Sequence, residues 1–247
     1  MDPLALDAVA AAVILAASFV RGYSGFGFAL IGVAGISLVV APRTAVPVVL
    51  ILEVAASLLL LPPVWREIRW RPVLLLLAGA VALTPIGALF LARAPADLAR
   101  LALAVVIAVA ALLLLRAPRA RPAPGPAGSV AVGGVAGLLN GAFGTSGPPI
   151  VLFFVGSESE AAVSRASMMA CFLVLDAVAV ASFAAGGLVD RASLITVLWC
   201  VPALVVGSWL GHRAFHGSDP TRFRTRVLWL LIGLAAVTAV RGAAALL

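Results

Sequence analysis

Twice in this chain a long apolar run is broken by a cluster of glycines, and the two breaks match. The first reads Arg21-Gly22-Tyr23-Ser24-Gly25-Phe26-Gly27-Phe28 and the second Asn140-Gly141-Ala142-Phe143-Gly144-Thr145-Ser146-Gly147-Pro148-Pro149. Gly22 aligns with Gly141 and Gly25 with Gly144, both at an offset of 119 residues. Backbone that leaves the helix inside hydrocarbon exposes unpaired N–H and C=O groups, so it survives only where protein or a water-filled cavity surrounds it. Interrupted apolar segments at matching places in two halves of a chain point to the binding site of a transporter.

The rest of the chain supports a membrane setting. Of its 247 residues 64% are hydrophobic, against roughly 45–50% in a soluble domain, and 11% are charged, against about 25%. Several apolar runs reach the ~20 residues that cross ~30 Å of hydrocarbon. Eight segments follow: 4–41 with its break at 21–27, 44–61, 72–92 and 98–115; then 129–155 with its break at 140–149, 162–185, 192–212 and 225–246. The expected fold is an all-α polytopic membrane protein of two homologous four-segment halves, residues 1–115 and 129–247. A Pro/Arg-rich linker, 116–128, joins them; its prolines disfavour helix. Gly87 and Arg93 match Gly207 and Arg213 at an offset of 120, and Arg100 near the start of the fourth segment resembles Arg224 near the start of the eighth.

As one helix, residues 4–41 would be roughly 57 Å long, far more than one crossing needs. The broken segments therefore either cross with a kink or form re-entrant hairpins. All 17 basic residues are Arg. If all eight segments cross, the flanking arginines divide evenly. If the first and fifth are hairpins, Arg43, Arg93, Arg100, Arg191 and Arg241 fall on one side and eleven others on the opposite side, with Arg21 at a hairpin tip. The excess of arginine on the cytoplasmic side of membrane proteins favours the hairpins, a cytoplasmic linker and both termini outside. Three crossings per half would then make the second half an inverted copy of the first.

The breaks are the expected anion site. Glycine permits tight turns and close approach to a ligand. Half-helices starting near Phe28 and Pro149 would aim N–H groups and the positive end of the helix dipole at the break. Expected binding residues are Arg21, Gly22, Tyr23, Ser24, Gly25 and Gly27 in the first break, and Asn140, Gly141, Gly144, Thr145, Ser146 and Gly147 in the second. Ser24, Asn140, Thr145 and Ser146 add side-chain hydrogen-bond donors and Arg21 a full charge. The competing reading is that these glycines only let helices pack closely.

Glu53 and Asp176 lie mid-way along the second and sixth segments, at similar depth. An ionised acid there costs roughly 2.5–3.5 kcal/mol on insertion scales. Either they carry a coupling proton, or they partner Arg21 or Arg165, or they sit as neutral hydrogen-bonded acids. Arg165 opens the sixth segment as an anchor or an anion gate, and Thr44 and Ser167 occupy comparable places that can line the pathway. Cys171 and Cys200 sit in apolar runs with no metal-ligand spacing and read as buried thiols. No metal, cofactor or catalytic constellation is expected, and no ATP-binding signature is present. With its arginines dispersed between apolar runs, the chain offers no nucleic-acid surface.

These features resemble the TauE/SafE sulfite exporter family, also called the 4-toluene sulfonate uptake permease family. The resemblance covers almost the whole chain. It is carried by Gly22 to Gly27, Gly141 to Pro149, Arg165-Ala166-Ser167 and the Gly87/Gly207 pair. It implies binding roles for both glycine loops and a multi-pass protein of the bacterial inner membrane. It also implies export of sulfite or a small organosulfonate such as sulfoacetate, driven by protons. The alternatives are an uncoupled anion channel or an uptake permease of the same fold. Expected partners are the sulfur-containing anion, protons and the lipid bilayer, with the protein a monomer or homodimer.

Overall fold

A computed structural model describes residues 3–115, 124–155 and 161–215. The eighth segment, 225–246, and residues 116–123 of the linker lie outside the described residues. Nine α-helices are described: α1 Pro3–Ser24, α2 Phe28–Ile36, α3 Pro42–Leu60, α4 Trp70–Arg93, α5 Ala96–Leu115, α6 Pro126–Phe143, α7 Gly147–Val155, α8 Ala161–Ala185 and α9 Arg191–Phe215. A short 3-10 helix, Pro62–Glu67, joins α3 to α4, and there is no strand among the described residues. Five helices (α3, α4, α6, α8 and α9) are long and apolar enough to cross a membrane. Their outer faces confirm the solvent: Leu198 is 70% and Trp199 61% exposed, which water would not tolerate and lipid does. Pro126, inside the stretch read as linker (116–128), starts α6, where its missing N–H is not needed.

Both breaks are turns between antiparallel helices. Gly25 (φ 81°), Gly27 (φ 92°) and Gly144 (φ 64°) adopt the left-handed conformation that side chains resist. After the first turn α2 runs back along α1, so that a Cβ on Gly35 would press on Val13 and one on Gly32 would touch Ile14. The α6–α7 pair is built the same way.

The halves interlock through small residues. In α4 and α6 a Cβ on Gly79, Gly87, Gly133, Gly137 or Gly141 would overlap the backbone of the facing helix. The contacts climb in step, from Gly79 on Val130 to Gly87 on Leu138, so α4 and α6 run parallel. The same holds for α1 and α9, where Gly207 lies on Leu15, Gly211 on Phe19 and Gly22 on Ser208. Backbones this close gain dispersion and packing that lipid cannot supply. Between these two pairs stand α3 and α8. The start of α8 lies beside the link that leads from the end of α3 to α4, where Ser167 Oγ accepts a 3.0 Å hydrogen bond from the Arg69 N–H. These two central helices therefore run antiparallel.

The structure alters one alignment. Gly87 packs against Leu138 and Ala142, and Gly211 packs against Phe19 and Tyr23, which are the equivalent positions at the offset of 119. By contact, Gly87 corresponds to Gly211, one turn beyond Gly207. Sequence matching slips here because α9 carries two glycines one turn apart, Gly207 and Gly211.

Candidate functional site

The two breaks face one cavity. It is lined by Gly27, Ala29 and Leu30 from the first hairpin, Gly144, Thr145, Ser146 and Gly147 from the second, and Glu53 and Phe172 from α3 and α8. About 10 Å³ within it is open to the centre of a water-sized molecule, which is room for about one water. A much larger hollow of about 800 Å³ lies between α5 and the α6–α7 hairpin, but its lining side chains are hydrocarbon throughout and offer an anion nothing to bind.

Hydrogen-bond donors are unequally shared between the breaks. Ile31 N–H bonds back to Gly27, which leaves the amides of Phe28, Ala29 and Leu30 at the open end of α2. In α7 the matching turn contains Pro148 and Pro149, which have no N–H, and Thr145 N–H is taken by the Leu139 carbonyl. Two half-helices donating alike were expected; α2 provides most of the backbone donors, because proline starts a helix by giving them up.

Arg21, in the last turn of α1, is fully buried. Its Nη1 pairs with Glu53 Oε1, and its Nη2 donates to Ser57 Oγ at 2.6 Å. Its guanidinium carbon lies 5.9 Å from the centre of the Phe172 ring, within cation–π range. Its Nε is buried with no hydrogen-bond partner among the described residues. Breaking such a buried ion pair by removing one partner costs roughly 3–5 kcal/mol. In the second half Asn140 takes the place of Arg21 and donates from Nδ2 to Asp176 Oδ1 at 3.0 Å. Asn140 Oδ1, Thr145 Oγ1 and Asp176 Oδ2 are buried without a partner among the described residues.

The two acids are therefore not equivalent. The Arg21–Ser57 and Asn140–Asp176 bonds each span 36 residues, so Asp176 matches Ser57, and Glu53 matches Phe172. The acids stand one helical turn apart along corresponding helices, where sequence placed them at similar depth. Glu53 has a resident cation and Asp176 has only an amide.

Arg165 reaches from α8 to the first break. Its Nη2 donates to the Gly22 carbonyl at 3.1 Å, and its side chain lies against Gly25. A cation at the carbonyl end of α1 is favoured by the helix dipole. Val46 and Leu50 of α3, with Val33 of α2, lie against Gly144 through apolar contact alone. The first break is thus covered near the start of α8 and the second near the start of α3, toward opposite ends of the bundle.

The other expected residues divide by place. Gly27, Gly144, Thr145, Ser146 and Gly147 line the cavity. Gly22 and Gly141 face the backbones of α9 and α4, and the Tyr23 backbone lies against Gly211. Thr44 is exposed in the first turn of α3, whereas Ser167 is buried and holds Arg69. Nothing is described of the Ser24 side chain. Ser57 and Phe172 were missed. Each stands four residues from an acid, Ser57 after Glu53 and Phe172 before Asp176, which puts it on the same helix face. That spacing was the available signal. Cys171 and Cys200 are buried free thiols.

Known proteins match along the whole described core. The chain is 30% identical over 236 residues to the "Probable sulfite/organosulfonate exporter TauE" of Cupriavidus necator, covering 91% of this chain and 90% of that protein. It is 29% identical over 191 residues to the "Probable inner membrane transporter protein TsaS" of Comamonas testosteroni, covering 74% of this chain and 78% of that protein. No solved structure matches. The profile of the sulfite exporter TauE/SafE family matches residues 10–238, which take in both glycine turns, the Arg21–Glu53 pair and the Asn140–Asp176 pair. With a match of that extent the chain belongs to the TauE/SafE sulfite exporter family, a family of transporters and not of enzymes.

Proposed function

We propose that this chain is a proton-coupled secondary transporter of the bacterial inner membrane that exports sulfite or a small organosulfonate such as sulfoacetate. One observation carries the reading: two glycine turns, 119 residues apart in sequence, open onto a single cavity. The names of the two relatives support the substrate class and the membrane. Amides of α2, the hydroxyl of Thr145 and the guanidinium of Arg21 suit a small oxyanion. Asp176, buried with one oxygen unpartnered, suits a proton that arrives and leaves.

The two halves act as an inverted repeat with re-entrant hairpins. The antiparallel packing of α3 on α8 supports this: equivalent helices that pack head to tail are related by an axis lying across them, in the membrane plane. An axis along the membrane normal would leave them parallel. The parallel pairing of α4 with α6 and of α1 with α9 fits the same axis. Arg165 and Val46 then cover the two breaks from opposite faces, and Thr44 and Ser167 flank these covers. Alternating access follows if one cover opens while the other stays shut.

Purified protein in vesicles tests the reading. Labelled sulfoacetate or sulfite should move uphill under an imposed pH gradient. Glu53→Gln and Asp176→Asn should abolish that driven accumulation when it is compared at equal amounts of folded protein. Flux that only equilibrates the anion, whatever the gradient, would indicate a channel. Full driven transport in both variants would remove the coupling assignment.

A further inference from the structure

The acid nearest the cavity is also the partner of the buried arginine, and that arrangement has a chemical meaning. Glu53 is the single charged residue among the described residues that line the space between the two breaks. Its carboxylate sits on Arg21, a guanidinium that solvent does not reach. A guanidinium binds carboxylate, sulfite and sulfonate oxygens through the same donor fork. We propose that Glu53 is a tethered competitor of the transported anion: its carboxylate holds the position on Arg21 that a sulfite or sulfonate oxygen takes, and a proton on Glu53 vacates it. This rests on the transporter reading above.

Three further features support the exchange. The remaining space holds about one water, so a sulfur oxyanion enters only if the carboxylate gives way. Arg21 Nε is buried with no partner among the described residues, so the guanidinium retains a donor after Glu53 and Ser57 are counted. The open amides of Ala29 and Leu30 border the same space and can share the incoming charge.

The step balances simply. One proton joins the Glu53 carboxylate to give the neutral acid, the guanidinium keeps its charge, and the anion replaces the carboxylate beside it. No other bond forms or breaks. The neutral acid becomes a hydrogen-bond donor that can face the bound anion. Binding one anion therefore takes up one proton at the site, which offsets one unit of the incoming negative charge. The groups whose charge couples with Glu53 are Arg21 on α1 and Asp176 on α8, and the charge of Arg21 reaches Arg165 on α8. Asp176 lies one turn from Phe172 and touches Asn140, so it is the rival site for the proton.

Calorimetric titration of detergent-solubilised full-length protein with sulfoacetate tests this, in buffers of different ionisation enthalpy between pH 6 and 8. The native protein should take up about one proton per anion, and its affinity should weaken toward pH 8. Glu53→Gln should bind at least tenfold more tightly than native protein at pH 8, with flat pH dependence and no proton uptake. Asp176→Asn, though expected to lose driven accumulation, should keep this uptake on binding, because the proton joins Glu53. If native binding takes up no proton, or if the uptake vanishes in Asp176→Asn and persists in Glu53→Gln, the competitor role is wrong. The native measurement decides the matter even if Glu53→Gln fails to fold. Failure of the transporter reading looks different: folded native protein would bind none of sulfoacetate, sulfite or sulfate at any pH, which overturns both.

Discussion

Replacing Gly141 by valine probes the contact on which the second break depends. A Cβ at this position would lie 2.6 Å from the Ala88 nitrogen and 3.0 Å from the Gly87 carbonyl carbon, and would overlap the Thr84 carbonyl oxygen. Ordinary contact needs about 3.5 Å, so α4 must retreat by roughly 1 Å, and the two γ-methyls add to the strain. Overpacking of this kind costs about 1–3 kcal/mol, and rigid backbone on both sides puts the loss near 2 kcal/mol. For a chain of this length that lowers the melting midpoint by roughly 4–8 °C. Thermal unfolding in detergent, followed by tryptophan fluorescence, measures it. Gly147→Ala is the control, because no atom lies within 4 Å of a Cβ built there. It should leave the midpoint unchanged and slow transport, since Gly147 lines the cavity. An unchanged midpoint in Gly141→Val, or an equal loss in Gly147→Ala, would refute the close approach of α4 and α6.

Three other outcomes are expected. Gly25→Ala forces a side chain into left-handed backbone (φ 81°) and places its Cβ 2.9 Å from Arg165 Cγ, so it should cost about 1–2 kcal/mol and cut the transport rate; a native rate would argue against the turn. A cysteine introduced as Ala120→Cys should resist an impermeant thiol reagent applied to intact cells and react after the membrane is opened; labelling from outside would reverse the topology. Asp190 caps α9, accepting hydrogen bonds from the Ser193 hydroxyl and N–H, both at 2.7 Å, and these bonds hold its carboxyl below the usual value. A group with a depressed folded-state value stabilises fully above the ordinary carboxylate range, near pH 4, and loses that contribution as pH falls through the lower value. Asp190→Ala should therefore lower the melting midpoint at pH 7 relative to native protein, with the difference shrinking in strong acid; a constant difference would remove the capping role.

Helix positions were legible because each follows from local chemistry. The apolar run at 72–92 became α4, Trp70–Arg93, and the run at 192–212 became α9, Arg191–Phe215. Small shifts have local causes, such as Pro126 starting α6 earlier than the linker reading allowed. Glycine was harder to read. Gly22, Gly25, Gly141 and Gly144 look alike as a motif, yet Gly25 and Gly144 make the turns, while Gly22 and Gly141 admit a neighbouring helix. A glycine has no side chain to announce which of these it does.

By itself, then, the amino-acid order settles that most of this chain avoids water, where its helices begin and stop, and that two of them halt at glycines. Those properties depend on neighbours within a few residues and on the solvent. Which charges meet is another matter. Glu53 stood open as a partner of Arg21 or Arg165, and Asp176 as its twin. Only the folding of α3 against α1, and of α8 against α6, joined Glu53 to Arg21 and Asp176 to Asn140 across gaps of 32 and 36 residues. Contacts at such separation are set by how whole helices cross, which no single segment encodes.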